Sequence, residues 1–288
     1  MTVAVVIFGL GPPVMKLVRA PALAAMSVRF WMAAPLLCAI ALLSGRGLSW
    51  AILRKTALPG VVFGLNLPFV FMALQHTSVA VVAVVLSLQP GVVLLVASRW
   101  MGETTTRWHV SWTAAGVVGV AIVVAGGTRE VHGDALGVVF AAAALLTFSG
   151  YYLMNRKVRS TTPIDPIQWM AGVTLVAALT VTPLVFITLS VDDFRQINGA
   201  DWLYLGFLAV ILGIVGHGMM SWVHRYMGAS QSSLFLLSMN VVSVGAAWPI
   251  NGESVSLLQL VGGLLVLATV AAVVSRPVGE LDVATPIL

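Results

Sequence analysis

"LSLQPGVVLLVASRWMGE" runs from Leu86 to Glu103, and "LSMNVVSVGAAWPINGE" runs from Leu237 to Glu253. Each opens on Leu-Ser and reaches an amide side chain (Gln89, Asn240) within one helical turn. Each then continues through an apolar run and ends on Gly-Glu. Leu237 follows Leu86 by 151 residues and Gly252 follows Gly102 by 150, so one residue is gained or lost between the copies. Apolar segments resemble one another by composition alone. The matched order and spacing of the polar landmarks favours a true internal duplication.

The solvent of this duplication follows from composition. Of 288 residues, 59% are hydrophobic and only 9% charged, against about 25% charged in a soluble domain. A soluble fold of this size could not hide so much apolar side chain. The chain is therefore read as an all-α polytopic membrane protein with the lipid bilayer as its main partner. The net charge of +5 fits Lys and Arg anchoring one membrane face. No basic patch with interleaved aromatics suggests nucleic acid. Cys38 is the single cysteine, so an intrachain disulfide and a cysteine metal cluster are excluded. No metal or cofactor is expected. The first apolar run lacks a basic leader and a small-residue cleavage site, so no cleavable signal peptide is expected. The chain starts almost inside its first span, which leaves room for a longer natural start.

Charges divide the chain into runs that can be compared with the roughly 20 residues of a spanning helix. Ten spans result, at about 2–18, 22–44, 56–75, 77–99, 108–127, 134–155, 165–190, 201–222, 228–250 and 254–275. The 43 uncharged residues between Lys55 and Arg99 make two spans, broken at "LQHTS" (Leu74 to Ser78). The 27 between Arg225 and Glu253 make one. The loops are short and no soluble domain is present. With the N-terminus in the cytoplasm, that side receives Arg46, Arg54, Lys55, Arg99, Arg107, Arg156, Lys157, Arg159, Arg225 and Arg276. The other side receives Lys16, Arg19, Arg129 and Arg195. Arg29 falls inside the second span and is left out. This imbalance places both termini in the cytoplasm.

Five spans per half is an odd number. The second repeat (129–288) must then enter the membrane with polarity opposite to the first (1–128). Inverted five-helix repeats are an architecture of secondary transporters, with substrate held near the midplane.

These residues resemble a known family. "ALQHTSVAVVAVVLSLQPGVVLLVASRWMGE" (Ala73 to Glu103) and "GDALGVVFAAAALLTFSGYYLMNRKV" (Gly133 to Val158) are similar to the fourth and sixth helices of the EamA type within the drug/metabolite transporter superfamily. The similarity extends over essentially the whole chain. In size and helix plan it looks most like the YddG-type amino-acid exporters of the bacterial inner membrane. The resemblance implies export of a small metabolite through a cavity lined by helices one, three, four, six, eight and nine. The chain departs from the pattern at Val241, where many members carry a second proline.

Polar groups inside the spans are the candidate site. An unpaired amide in hydrocarbon costs several kcal/mol, so Gln89 and Asn240 bond either to a neighbouring helix or to a substrate. Pro90 lacks the N–H that would pair with the Leu86 carbonyl and bends the helix beside Gln89. His217, between Gly216 and Gly218, is either a packed histidine or a proton-sensitive gate. His76 sits at the outer end of span three; His109, His132 and His224 read as interfacial. Asn66 and Pro68 form a second polar, bent site. Ser149, Tyr151, Phe148 and Trp169 could contact substrate, although membrane aromatics are more often interfacial. Trp50, Trp100, Trp108, Trp202 and Trp222 read as the aromatic belt.

No Asp or Glu lies at the centre of a span, which argues against a carboxylate proton relay. No GxxxxGKS loop, HExxH or GxSxG occurs, so neither nucleotide-driven transport nor a membrane hydrolase is expected. One Gln and one Asn make a poor channel ring. The expected function is a monomeric secondary transporter that moves amino acids outward by alternating access, and other amphipathic metabolites or drugs are the alternative. Gln89 and Asn240 would hold the polar end of the substrate, and Phe148 and Tyr151 its side chain. Pro12, Pro13, Pro68 and Pro90 would act as hinges.

Overall fold

The computed structural model describes residues 1–76, 82, 85–101, 106–127, 135–252 and 255–274. Among the described residues the main helices are α1 (Thr2–Leu17), α2 (Ala22–Leu43), α3 (Trp50–His76), α4 (Gln89–Met101), α5 (Arg107–Gly127), α6 (Ala135–Thr161), α7 (Pro166–Thr188), α8 (Gly199–Val223), α9 (Ala229–Asn251) and α10 (Leu257–Val274). A five-residue helix, Val191–Arg195, lies between α7 and α8. Among the described residues, six helices are long and apolar enough to cross a bilayer, and three more apolar helices are shorter. A helix satisfies its backbone polar groups internally, as lipid requires.

Local chemistry sets the helix ends. Asp165 accepts the Ile167 N–H (2.9 Å) and Pro166 opens α7. Asn198 and Asp201 form a reciprocal cap on α8. Gly252 closes α9 at φ +72, a left-handed value that a side chain would strain. On the five-residue helix, the Ser190 N–H and hydroxyl hold the Asp193 carboxyl below its usual range. The Gly102-Glu103 pair, Glu253, His132, Arg129 and Arg276 lie outside the described residues.

Three features differ from a uniform ladder of α-helices. First, Leu88 N–H bonds to the Val85 carbonyl (3.1 Å) in a tight turn, and α4 starts afresh at Gln89. Pro90 thus occupies a first helical turn, where a missing N–H leaves no bond unmade. Second, α8 is π-wound from Leu208 to Gly216. Third, α6 continues past its expected end at 155 through Arg156, Lys157 and Arg159.

The closest pairings are α5 with α10, α3 with α6 and α7, α2 with α7, and α1 with α9. Helix α8 packs on α1 and α2, and α4 on α6 and α9. Glycine permits the tightest crossings. A Cβ on Gly60 would lie 2.5 Å from Val176 Cβ, and one on Gly64 would lie 2.9 Å from the Ala177 carbonyl oxygen. Small residues let membrane helices approach to such distances.

Candidate functional site

Five helices each contribute one ring to a central cluster. Phe63 of α3 stacks on Tyr151 of α6 at 4.5 Å and meets Phe30 of α2 edge-on at 5.5 Å. His217 of α8 lies edge-on to Phe63 at 5.0 Å and to Phe8 of α1 at 4.9 Å. The π-wound segment ends at Gly216 and so sets the face on which His217 emerges; π segments in α-helices often mark functional sites. Tyr151 and His217, both expected site residues, are thus brought together with their rings 6.2 Å apart. The Tyr151 hydroxyl reaches only the Met170 sulfur, at 4.0 Å.

Arg29 borders this cluster: it precedes Phe30 on α2 and shares that helix's buried face with Met26, Phe30 and Ala33. It lies near one end of its span by sequence, yet it is 6% exposed. Its one hydrogen bond runs from Nη1 to the Met26 sulfur (4.0 Å), a turn back on its own helix. The rings of Phe8, Phe30 and Phe63 were not expected here either. α2 is apolar around its whole circumference, so no periodicity marks the face that carries Arg29 and Phe30.

The other expected residues divide. Trp169 packs in the same core as Phe30, Phe63 and Tyr151, fully enclosed, with Nε1 lacking a partner. Phe148 borders that core, and the buried Ser149 hydroxyl has no partner. Gln89 is buried and its Nε2 has no partner. Asn240 donates to the Leu237 carbonyl of its own helix (3.3 Å), so no hydrogen bond links it to Gln89. Asn66 directs Nδ2 to the Ala144 carbonyl (2.8 Å) and the Thr147 hydroxyl (3.3 Å), tying α3 to α6. Asn66→Ala should therefore lower stability by about 1 kcal/mol, read as thermal unfolding of the purified protein. His76 is exposed at the end of α3, 5.8 Å from the Phe140 ring. Pro12 is exposed and Pro13 buried within α1, and Asn251 Nδ2 donates to the Pro13 carbonyl (3.3 Å). Pro68 is buried within α3, as is Pro59.

A second polar group closes the end of the bundle where α6 and α8 finish. Arg159 is 2% exposed and donates Nε to the Ser221 carbonyl (3.1 Å) and Nη1 to the Ile164 carbonyl. Arg156 donates Nη1 to the His224 carbonyl. Tyr152 bonds the Ser232 hydroxyl at 2.5 Å and joins α6 to α9. His224 was expected at the water interface; it is fully buried, edge-on to Tyr152 at 4.4 Å. His109 is also buried, its Nδ1 3.1 Å from the Thr106 hydroxyl. A groove of about 300 Å³ between α2, α7 and the five-residue helix is edged by the exposed Phe186 and has no ionisable side chain. It faces outward and is separate from the ring cluster. Among the described residues, no group of His, Cys, Asp or Glu is placed to hold a metal.

Apolar spans around a buried polar and aromatic centre define a multi-pass helical membrane protein of the transporter class. The chain belongs to the EamA-like transporter family, whose model matches residues 1–125 and again 135–275. It is 28% identical over 260 residues to an uncharacterized transporter of Archaeoglobus fulgidus, covering 87% of each chain. It is 24% identical over 252 residues to the uncharacterized transporter YyaM of Bacillus subtilis, covering 83% of this chain and 80% of that one. A crystal structure with 18% sequence identity superposes with a TM-score of 0.76 over 94% of this chain and 93% of the other. That likeness is one of fold.

Proposed function

We propose that this transporter moves amino acids out of the cell by alternating access across a bacterial inner membrane, working as a monomer and as a carrier rather than an enzyme. The observation that carries the substrate site is the buried, unpartnered Nε2 of Gln89, beside the break at Leu88. A buried amide donor without a partner is unfavourable by about 1–3 kcal/mol. A substrate carboxylate or carbonyl would relieve it. The Ser149 hydroxyl and Trp169 Nε1 are further donors of this kind. The stacked rings of Phe63 and Tyr151 suit an amino-acid side chain.

Two inverted halves, split near residue 128, account for the packing. If helices one to five correspond to six to ten, α3 on α6 and α7 corresponds to α8 on α1 and α2, and α1 on α9 corresponds to α6 on α4. The two stretches matched by the family model fit the same division. Cytoplasmic termini follow from the bias of Lys and Arg. Pro12, Pro13, Pro68 and Pro90, the last just after the break at Leu88, are the places where the halves would flex.

The test is uptake by liposomes holding the purified protein, with a panel of labelled amino acids and with and without a pH gradient. Transport above empty vesicles is expected, and none for any amino acid would end this assignment. Gln89→Ala should weaken apparent substrate affinity about tenfold, the value of one hydrogen bond to a charged group, with protein yield unchanged. Unaltered kinetics would remove Gln89 from the site.

A further inference from the structure

We propose that Arg29 is the anchor for a single carboxylate on the transported molecule, whose apolar body lies against Phe8, Phe30, Phe63, Tyr151 and His217. The inference rests on the transport assignment and names the chemical group that the site selects.

The argument starts from cost. A guanidinium removed from water is strongly unfavourable unless a partner replaces its hydration. The same protein shows how a structural arginine is accommodated. Arg159 is as buried as Arg29, and it donates to two carbonyls on two other segments. Arg29 makes no bond to another helix; its one acceptor is a thioether sulfur at 4.0 Å. Its polar end therefore adds no hydrogen bond between helices. The rest of its planar fork of donors has no partner among the described residues.

No carboxylate of the described chain balances its charge. Asp165 pairs with Arg46, and Asp192 with Arg195 at 2.8 Å. Asp193 accepts from Ser190 (2.8 Å). Asp201 accepts from the Arg19 N–H (3.0 Å) and the Asn198 N–H (3.1 Å). A carboxylate on the transported molecule would supply the anion that the described residues do not. A carboxylate matches the guanidinium in shape as well as charge, taking two parallel N–H bonds.

The surroundings restrict the rest of the molecule. Phe30 follows Arg29 on the buried side of α2, and Phe63 packs edge-on against Phe30. The Tyr151 hydroxyl has no nitrogen or oxygen partner among the described residues, and its ring is stacked on Phe63. An α-ammonium group next to the anchored carboxylate would donate to that hydroxyl oxygen. A second carboxylate would meet no second cation, because Arg156 and Arg159 are engaged with carbonyls elsewhere. The site is thus built for a monocarboxylate with an apolar or aromatic body.

The test is thermal unfolding of the purified full-length protein in detergent, with sulfate replacing chloride. Phenylalanine, phenylacetate, phenylacetamide, phenylethylamine and sodium chloride are each added. Phenylalanine and phenylacetate should raise the midpoint in proportion to occupancy, and the amide, the amine and chloride should not. Arg29→Gln should weaken phenylalanine binding at least about 30-fold, the low end for losing one partner of a buried charge pair; Arg29→Lys should weaken it less. Equal shifts from amine and carboxylate, an equal shift from chloride, no carboxylate shift in the unaltered protein, or an unchanged carboxylate shift in Arg29→Gln would each overturn the proposal. The comparison of ligands on the unaltered protein decides it even if the variants fold poorly. Carboxylate binding without amino-acid transport would sink the transport assignment alone. Transport with unchanged kinetics in Arg29→Gln would sink the anchor alone.

Discussion

Arg159→Met is expected to lower the unfolding midpoint sharply and to cut the yield of folded protein, a loss of about 3 kcal/mol. The magnitude comes from what Arg159 leaves behind. At the end of α8 the Ser221 carbonyl gets no backbone N–H, because Arg225 N bonds to Trp222 and His224 N bonds to Met220. Arg159 Nε fills that vacancy, and Nη1 fills the one at Ile164 in the connection before α7. Methionine matches the stem but donates nothing. Two buried carbonyls then go unpaired at about 1–3 kcal/mol each. Removing a buried charge offsets part of this, so the net loss is nearer the lower end of the sum. Arg159→Lys keeps the charge without the fork and should recover less than half of the loss. Thermal unfolding with the three proteins side by side decides it; a lysine variant as stable as the original would show that charge alone matters.

Arg159 also illustrates what a sequence can and cannot display. The ten spans could be located because lipid imposes one rule on every segment: about twenty residues without charge. That rule finds a run but not its faces. α6 was expected to stop where its basic residues begin, yet those residues extend the helix and bind carbonyls at the end of α8. The same limit hid Arg29. Its distance from a loop suggested a span end, whereas its environment depends on which side of α2 meets the centre. The π-wound stretch "LAVILGIVG" is apolar throughout and carries no sign of altered winding. Gln89, Tyr151 and His217 could be picked out because a polar or hydroxyl-bearing group in an apolar run demands an explanation. Phe8, Phe30 and Phe63 demanded none, since phenylalanine is ordinary in a membrane helix.

Gly262→Val should be among the most damaging single changes on the α5–α10 face, and it should act on assembly without altering the site. A Cβ at Gly262 would lie 2.7 Å from the Gly119 carbonyl oxygen and 2.7 Å from the Val123 nitrogen. Both are backbone atoms, so no rotamer change can relieve the overlap. The reverse contact is equally close: a Cβ on Gly119 would lie 2.9 Å from Val266 and 3.1 Å from the Gly262 carbonyl oxygen. Valine adds three carbons where one does not fit, and α5 and α10 must separate along their length. Overpacking of this kind costs about 3 kcal/mol or more. Helix association in lipid depends on close packing, so little else on this face compensates. α5 and α10 contribute none of the five rings of the central cluster. Whatever fraction of Gly262→Val folds should therefore bind substrate with unchanged affinity, while the folded yield and the unfolding midpoint fall. Gly64→Val makes the contrast. It would push α3 off α7 at the Ala177 backbone and displace Phe63 and Asn66 with it, so stability and affinity should fall together. If both variants lost affinity alike, the α5–α10 pair would have to be counted as part of the moving machinery rather than as a fixed frame.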